Sequence, residues 1–188
     1  MLNSILWSVV ILFPVSEIAL AIFKRSDAAA AQAEDRGSLR FLWLMIGLGV
    51  TLAVASMWVS MPELRFRSGW SSLAALVLLL LGLAVRWSAI VTLGRHFTVD
   101  VAIHRDHKLV ECGLYRFVRH PSYTGLLLAF LGLGLTYGNW LSLTVLMAPI
   151  AAAVFYRIAQ EERALHAALG TAYSAYCLRT RRLIPGVY

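Results

Sequence analysis

Long apolar runs separated by short polar stretches make up most of this chain. Five runs read as candidate membrane spans, at residues 2–23, 39–60, 73–93, 122–137 and 140–156. A helix needs about 20 apolar residues to cross a bilayer, so the last two runs are short. Gly138 and Asn139 between them predict a tight turn and therefore a helical hairpin. The pattern predicts an all-α integral membrane protein with five transmembrane helices in a single domain, 1–188.

Two further segments have their own periodicity. Residues 157–180 predict an amphipathic helix with a weak point at Gly170, and Arg157 and Glu161 share one face if the preceding helix continues through them. Residues 94–106 alternate apolar and polar positions, which indicates a strand or extended segment.

Composition supports a membrane protein rather than a soluble one. The chain is 60% hydrophobic and 14% charged, with a mean hydropathy of +0.72. Its net charge of +7 does not indicate nucleic acid, because the cations lie beside the apolar runs rather than along one face. Anionic membrane lipids are the expected counter-charge. Cys112 and Cys177 are expected to be free thiols, and no cysteine spacing indicates a metal.

The distribution of cations predicts the orientation. Fourteen Lys and Arg residues lie on one side of the predicted spans and only Arg65 and Arg67 on the other, with Arg86 inside the third span. By the positive-inside rule the N-terminus lies outside, and both the central loop and the C-terminal tail are cytoplasmic. Glu17 and Arg86 are ionisable residues inside spans. We interpret Glu17 as structural, and Arg86 as a snorkelling residue that could line a site.

Residues 107–123, HKLVECGLYRFVRHPSY, form the one long polar stretch that interrupts the apolar pattern. Pro121 suits the first turn of a helix, so the next helix should begin there with free N–H groups facing a ligand. The alternative is a cytoplasmic loop whose Arg and Lys residues only set the membrane topology and whose Pro only starts a helix. His104 and His107 lack a third ligand at matching spacing, so no metal site is expected.

Two motifs occur one after the other in the C-terminal half. The first, H-x-L-V-x-x-G-x-Y-x-x-x-R-H-P-x-Y-x-G, comprises His107, Leu109, Val110, Gly113, Tyr115, Arg119, His120, Pro121, Tyr123 and Gly125. The second, E-E-x-x-L-x-x-x-x-G-x-x-Y-x-x-Y with a closing R-L-I-P, comprises Glu161, Glu162, Leu165, Gly170, Tyr173, Tyr176, Arg182, Leu183, Ile184 and Pro185. Together they resemble the isoprenylcysteine carboxyl methyltransferase family. Two positions depart from it: Leu114 stands where many members have Pro, and Asp100 where animal members often have Gln.

The resemblance implies S-adenosylmethionine as methyl donor and a cytoplasmic cofactor pocket built from the loop before helix 4 and the C-terminal helix. It implies an activity of the protein C-terminal S-isoprenylcysteine O-methyltransferase type, with a lipophilic carboxylate substrate that enters from the bilayer. By correspondence Arg157 would face the acceptor carboxylate as the catalytic residue. The residues that would line the cofactor pocket are Asp100, His107, Lys108, Leu109, Val110, Tyr115, His120, Pro121, Ser122, Tyr123 and Glu161.

The residue chemistry is compatible with that assignment. A carboxylate such as Glu161 suits the ammonium of the methyl donor, and imidazoles and helix N–H groups suit its carboxylate. An acceptor carboxylate is ionised at pH 7 and needs no general base, so a guanidinium that orients it is sufficient. Two alternatives stay open: a membrane methyltransferase for a phospholipid amine or small thiol, and a non-enzymatic membrane protein that binds lipid or a partner.

Overall fold

The computed structural model describes residues 2–23, 33–59, 62–66, 69–94 and 109–187. This part of the chain is helical, with short 3₁₀ turns at Pro62–Leu64 and Gly113–Arg116. The helices are α1 (Leu2–Phe23), α2 (Ala33–Ser56), α3 (Gly69–Leu93), α4 (Pro121–Thr136), α5 (Trp140–Leu169) and α6 (Thr171–Arg179). The extended segment predicted at 94–106 falls almost wholly outside the described residues, which resume at Leu109.

Four helices within the described residues are long and apolar enough to cross a membrane, covering Asn3–Ile22, Gly37–Ser56, Trp70–Leu93 and Trp140–Leu169. The all-helical membrane class is therefore confirmed. The remaining predicted span, 122–137, corresponds to α4, which has 16 residues. At a rise of about 1.5 Å per residue such a helix is shorter than a hydrocarbon core of about 30 Å. Of the five predicted spans, four are therefore long enough to cross a membrane among the described residues, and the fifth, α4, is not.

The helix ends match the apolar pattern unevenly. Helix α1 has the predicted bounds, whereas α2 begins at Ala33, before the apolar run, and ends at Ser56. Helix α5 continues without interruption for 30 residues, so the predicted span 140–156 and the start of the predicted amphipathic helix form one helix, which includes both Arg157 and Glu161. The chain instead breaks at Gly170, whose φ of 52° lies in the left-handed region that other residues rarely adopt.

Two connections meet at the end of the bundle opposite the polar stretches. Gly138, with a φ of 65°, turns the chain between α4 and α5, and the Asn139 side chain caps α5 by accepting from the Leu141 N–H at 2.8 Å. The α2–α3 connection lies beside this turn, because the Phe66 N–H donates to the Gly138 carbonyl at 3.1 Å. The predicted hairpin between the last two apolar runs is confirmed.

Helices α3 and α4 pack through small residues that let their backbones touch. A Cβ on Gly82 would lie 2.5 Å from the Ala129 amide nitrogen, and one on Gly125 would lie 2.5 Å from the Arg86 amide nitrogen. A Cβ on Gly132 would lie 2.8 Å from the Ala75 carbonyl oxygen. Close backbone approach through small residues is a usual way for helices to associate in lipid. This contact fixes the start of α4, and with it the polar loop, against α3.

Candidate active site

The two polar stretches identified in the sequence lie side by side in the structure. The Arg119 N–H donates to the Arg181 carbonyl at 2.7 Å, and the His120 N–H donates to the Arg182 carbonyl at 3.0 Å. The Arg181 N–H returns a bond to the Phe117 carbonyl at 3.2 Å. The C-terminal tail therefore runs parallel to the loop that precedes α4 and is held to it by backbone bonds.

Glu162 is the centre of an ionic cluster that closes this contact. Its Oε1 accepts from Arg119 Nε at 2.9 Å and lies 3.4 Å from His120 Nε2, and its Oε2 accepts from Arg182 Nε at 2.9 Å. The Glu162 side chain is only 9% exposed. The Glu162 carboxylate on α5 thus joins the loop, through Arg119, to the tail, through Arg182. Arg119 also donates to the Thr180 carbonyl at 2.6 Å, which adds a second link between loop and tail. A buried carboxylate with several charged donors is well compensated for its lost hydration.

The neighbouring carboxylate, Glu161, is placed differently. Its side chain is 29% exposed, and its Oε2 lies 3.9 Å from His120 Nδ1. His120 lies between the two glutamates, within 3.4 Å of Glu162 and 3.9 Å of Glu161. Glu162 is buried and joins three segments of the fold, whereas the Glu161 carboxylate is partly exposed.

Arg157 is buried between helices, with 2% of its surface exposed. Its Nε donates to the Tyr123 hydroxyl at 2.8 Å and its Nη1 donates to the Ser38 hydroxyl at 2.8 Å. Ser38 lies on α2 and Tyr123 on α4, so both flanking helices fix the plane of the guanidinium. A fixed guanidinium plane is suited to binding a carboxylate in one orientation.

Three tyrosines form the wall between the loop and α6. Tyr115, Tyr173 and Tyr176 are all buried, and the rings of Tyr173 and Tyr176 lie 6.0 Å apart. The Tyr176 hydroxyl donates to the Tyr115 carbonyl at 2.6 Å. Burial raises the pKa of Tyr115 well above its usual range, with Glu161 adding to the effect, so this phenol stays protonated at neutral pH. Tyr173 and Tyr176, three positions apart on α6, are both buried and face the protein rather than forming an exposed aromatic belt.

The start of α4 is at Pro121 as predicted, preceded by His120. Its first-turn amides are less available than expected, because the N–H groups of Tyr123 and Thr124 both donate to the His120 carbonyl, at 3.0 and 3.1 Å. Pro121 has no N–H to offer. The expectation of a row of free amides facing a ligand is therefore wrong for these two residues, and side chains carry more of the recognition.

Of the residues predicted to form the site, the first turn of α4 and the facing part of α5 bring together His120, Pro121, Ser122, Tyr123, Arg157 and Glu161. Leu109, Val110 and Tyr115 also lie within the described residues. Asp100, His107 and Lys108 lie outside the described residues and stay predictions. Cys112 and Cys177 are free thiols. No group of three or more potential metal ligands occurs within the ranges that the structure describes.

Sequence reasoning missed the residues that support the site from behind. Glu162, Arg119 and Arg182 were visible as motif letters, but nothing in their spacing indicated that they meet. Arg86 does not snorkel: it is 8% exposed, binds Glu17 through both sides of its guanidinium, and donates to the Ser122 hydroxyl at 2.9 Å. The presence of an acidic and a basic residue in two different apolar runs was the available signal for this pair.

Comparison with known proteins gives consistent matches. The sequence profile of the isoprenylcysteine carboxyl methyltransferase (ICMT) family matches residues 75–167. A probable protein-S-isoprenylcysteine O-methyltransferase from Oryza sativa subsp. indica is 30% identical over 177 residues, covering 89% of this chain and 92% of the relative. Protein-S-isoprenylcysteine O-methyltransferase B from Arabidopsis thaliana is 31% identical over 180 residues, covering 95% of this chain and 90% of the relative.

Among solved structures, the chain resembles a eukaryotic intramembrane Ras methyltransferase ICMT (isoprenylcysteine carboxyl methyltransferase), determined without a monobody. The TM-score is 0.59 and the sequence identity 31%. The match covers 73% of this chain and 52% of the solved one, so the present chain spans about half of that longer protein.

Proposed function

This chain belongs to the isoprenylcysteine carboxyl methyltransferase family, and from that premise we propose that it methylates the carboxylate of an isoprenylcysteine or a similar lipophilic acceptor, with S-adenosylmethionine as donor. The observation that carries the proposal is the pairing of two distinct polar groups at one end of an apolar bundle. Glu161 is an accessible carboxylate, and Arg157 is a buried guanidinium whose plane is fixed. The first suits a cationic donor and the second an anionic acceptor.

The residues present fit the donor. S-adenosylmethionine carries an ammonium, a carboxylate and an adenine, and when bound it supplies an electrophilic methyl group. Glu161 would hold the ammonium, because its carboxylate is the one not saturated by arginines. His120 and Ser122 would bind at the carboxylate end, while Leu109, Val110, Tyr115 and Tyr123 would provide apolar and aromatic surface for the ring. Asp100, His107 and Lys108 belong to the same proposed set.

The acceptor chemistry requires little more than placement. A carboxylate is ionised at pH 7, so its methylation needs no group to remove a proton. Arg157 would hold one carboxylate oxygen toward the donor, while Tyr123 and Ser38 prevent the guanidinium from turning away. Positioning of this kind can contribute about 7–11 kcal/mol in favourable cases. A rival amine or thiol acceptor would need a base such as His120 or Glu161, but these two are already assigned to the donor, and His120 Nε2 also lies 3.4 Å from Glu162. This favours a carboxylate acceptor, which needs no base.

The proposed orientation assigns each substrate its own route. With the polar loop and tail on the cytoplasmic side, the water-soluble donor would enter from the cytoplasm. The lipophilic acceptor would enter between helices from the bilayer and bring its carboxylate to the level of Arg157. The exposed apolar faces of α1 and α2 are consistent with contact to membrane lipids.

Donor binding is tested by calorimetric titration of the detergent-purified protein with S-adenosylhomocysteine. We expect saturable binding by the wild type, weakened by about 10- to 100-fold in Glu161→Ala, because the ligand's ammonium would lose its proposed carboxylate partner. Glu111→Gln is the matched control, because Glu111 is an exposed carboxylate in the loop before α4 and pairs with Arg179 of α6 at the surface. Failure of the folded wild type to bind S-adenosylhomocysteine would favour the alternative of a non-enzymatic membrane protein that binds lipid or a partner.

The role of Arg157 is tested separately by steady-state kinetics. Arg157→Lys keeps the charge but loses the planar fork, so we expect the KM for the acceptor to rise by about tenfold or more with the donor affinity much less changed. Arg157→Ala removes the charge as well and should act more severely. Full turnover of Arg157→Ala with an unchanged acceptor KM would exclude this assignment.

A further inference from the structure

A buried ion pair joins α1 to α3 beneath the first turn of α4. Arg86 Nε and Nη2 donate to the two carboxylate oxygens of Glu17, the latter at 2.5 Å. Each of the two residues is 8% exposed. They lie inside the candidate spans Asn3–Ile22 and Trp70–Leu93, where ionisable side chains are rare and usually have a function.

The pair is not needed merely to join two helices. Replacing a buried ion pair by apolar side chains of similar volume is often neutral or stabilising, so such a pair is weak support for a purely structural role. Helices α1 and α3 already have apolar partners in the core, among them Phe13 and Leu79. The charge on Arg86 therefore calls for a target other than Glu17.

That target is Ser122. Arg86 Nη1 donates to the Ser122 hydroxyl at 2.9 Å and to the Ser122 carbonyl at 3.2 Å. The backbone of Arg86 also abuts the same turn, since a Cβ on Gly125 would lie 2.5 Å from its amide nitrogen. Main chain and side chain of one residue thus fix the height and rotation of the turn that contains His120, Ser122 and Tyr123.

We propose that Arg86, oriented by Glu17, is a positioning residue for the methyl-donor pocket, an inference that rests on the function proposed above. Its guanidinium divides its donors between the Glu17 carboxylate and Ser122, and in this way transmits the position of α1 to the start of α4. Glu17 lies outside the segment 75–167 matched by the family profile, whereas Arg86 lies inside it. Helix α1 is then a working part of the donor site and not only a membrane anchor.

Arg86→Lys separates positioning from folding. Lysine keeps a charge for Glu17, but its three donors share one nitrogen, so it cannot reproduce the fork in which Arg86 binds Glu17 and Ser122 through different nitrogens. We expect a Tm close to that of the wild type, a Kd for S-adenosylhomocysteine raised by about tenfold or more, and an acceptor KM that is nearly unchanged. If Arg86 had only a structural role, the substitution would lower the Tm, or it would change the S-adenosylhomocysteine Kd and the acceptor KM together.

The double variant Glu17→Leu/Arg86→Met removes both charges. It should be more stable than Arg86→Met alone, which leaves Glu17 buried without its partner, yet it should still bind S-adenosylhomocysteine weakly. Ser142→Ala is the matched control, because it breaks another buried polar contact between helices, the 2.8 Å bond to Ser56, at the opposite end of the bundle. It should leave the Kd unchanged.

The outcomes distinguish the inference from the function on which it rests. If the wild type binds and either Arg86→Lys or the double variant binds equally well, Arg86 does not position the donor pocket, although the protein remains a methyltransferase. If the wild type does not bind S-adenosylhomocysteine at all, the proposed function fails and the role of Arg86 fails with it.

Discussion

At the scale of single residues, adjacent side chains of the same type have different functions because of their neighbours. Glu161 and Glu162 follow each other on α5, but successive helical positions point about 100° apart. Glu162 meets Arg119 and Arg182, whereas Glu161 is partly exposed and lies 3.9 Å from the Nδ1 of the buried His120. The assignment of one glutamate to the fold and the other to the donor follows from this difference.

The two glutamates should therefore respond differently to the same substitution. Glu162→Gln leaves Arg119 and Arg182 without their carboxylate and should lower the free energy of unfolding by about 3 kcal/mol, since breaking a buried charge cluster is costly. Glu161→Gln should change stability much less and weaken S-adenosylhomocysteine binding instead. Chemical denaturation and calorimetry on both variants test this, and equal stability losses in the two would contradict it.

The buried tyrosines allow an equally direct comparison. The Tyr176 hydroxyl donates to the Tyr115 carbonyl, whereas the Tyr173 hydroxyl is buried without a hydrogen-bond partner among the described residues. Tyr176→Phe leaves a buried carbonyl unpaired and should cost about 1–3 kcal/mol. Tyr173→Phe should be neutral or stabilising. Thermal unfolding in detergent measures both, and a larger loss for Tyr173→Phe would contradict the assignment.

At the scale of helices, contact between backbones decides where α4 begins relative to α3. Gly125 touches the Arg86 main chain, so any side chain there must push the helices apart. Gly47 on α2, by contrast, has no atom of the described structure within 4 Å of the position a Cβ would take. The two glycines are a matched pair for the effect of one methyl group.

Gly125→Ala should lower stability by about 1–3 kcal/mol through overpacking and should also weaken donor binding, because it displaces Ser122 from Arg86. Gly47→Ala should be neutral or slightly stabilising, since alanine favours a helix over glycine. Tm and S-adenosylhomocysteine affinity report the two effects. Unchanged values in Gly125→Ala would show that the close approach is not required.

The helices show which features local sequence determines. The apolar run 2–23 predicted α1, the Gly138–Asn139 turn predicted the hairpin, and Pro121 predicted the start of α4, because each signal is carried by adjacent residues. Whether α5 runs on past its apolar run stayed open in the sequence, because hydropathy ends near residue 156, whereas the helix reaches Leu169 with Arg157 and Glu162 buried along it. Hydropathy marks where lipid ends and not where a helix ends.

The site was predictable where a motif carried it and not where the tertiary structure created it. Arg157, His120, Tyr123 and Glu161 were predicted as site residues from the family resemblance. The Glu17–Arg86 pair joins residues 69 positions apart, and no periodicity specifies such a contact. Pairing between distant residues follows from how the helices pack, which the sequence encodes only through the whole fold.

At the scale of the molecule, the bundle has two chemically different ends. The loop before α4, the tail and the Glu162 cluster occupy one end, and the α2–α3 and α4–α5 connections occupy the other. Cys112 is exposed at the first end, and Trp58, 88% exposed, lies just after α2 at the second. These positions allow the proposed orientation to be tested in membranes.

A membrane-impermeant maleimide should label Cys112 from the cytoplasmic side of the membrane. Cys177 should react more slowly, because burial raises the pKa of its thiol and it is less exposed. In a Cys112→Ser/Cys177→Ser background, Trp58→Cys should be labelled only from the opposite side. Labelling of Cys112 and of Trp58→Cys from the same side would refute the proposed topology.

The most direct test of the proposed function is methyl transfer from labelled S-adenosylmethionine to a farnesylated cysteine analogue, with the carboxamide of that analogue as control. We predict that the detergent-purified protein labels the free acid and not the amide, and that dilute alkali releases the label as methanol, as a carboxyl methyl ester requires. No label on the acid, equal label on both compounds, or label that resists alkali would contradict carboxyl methylation by this protein.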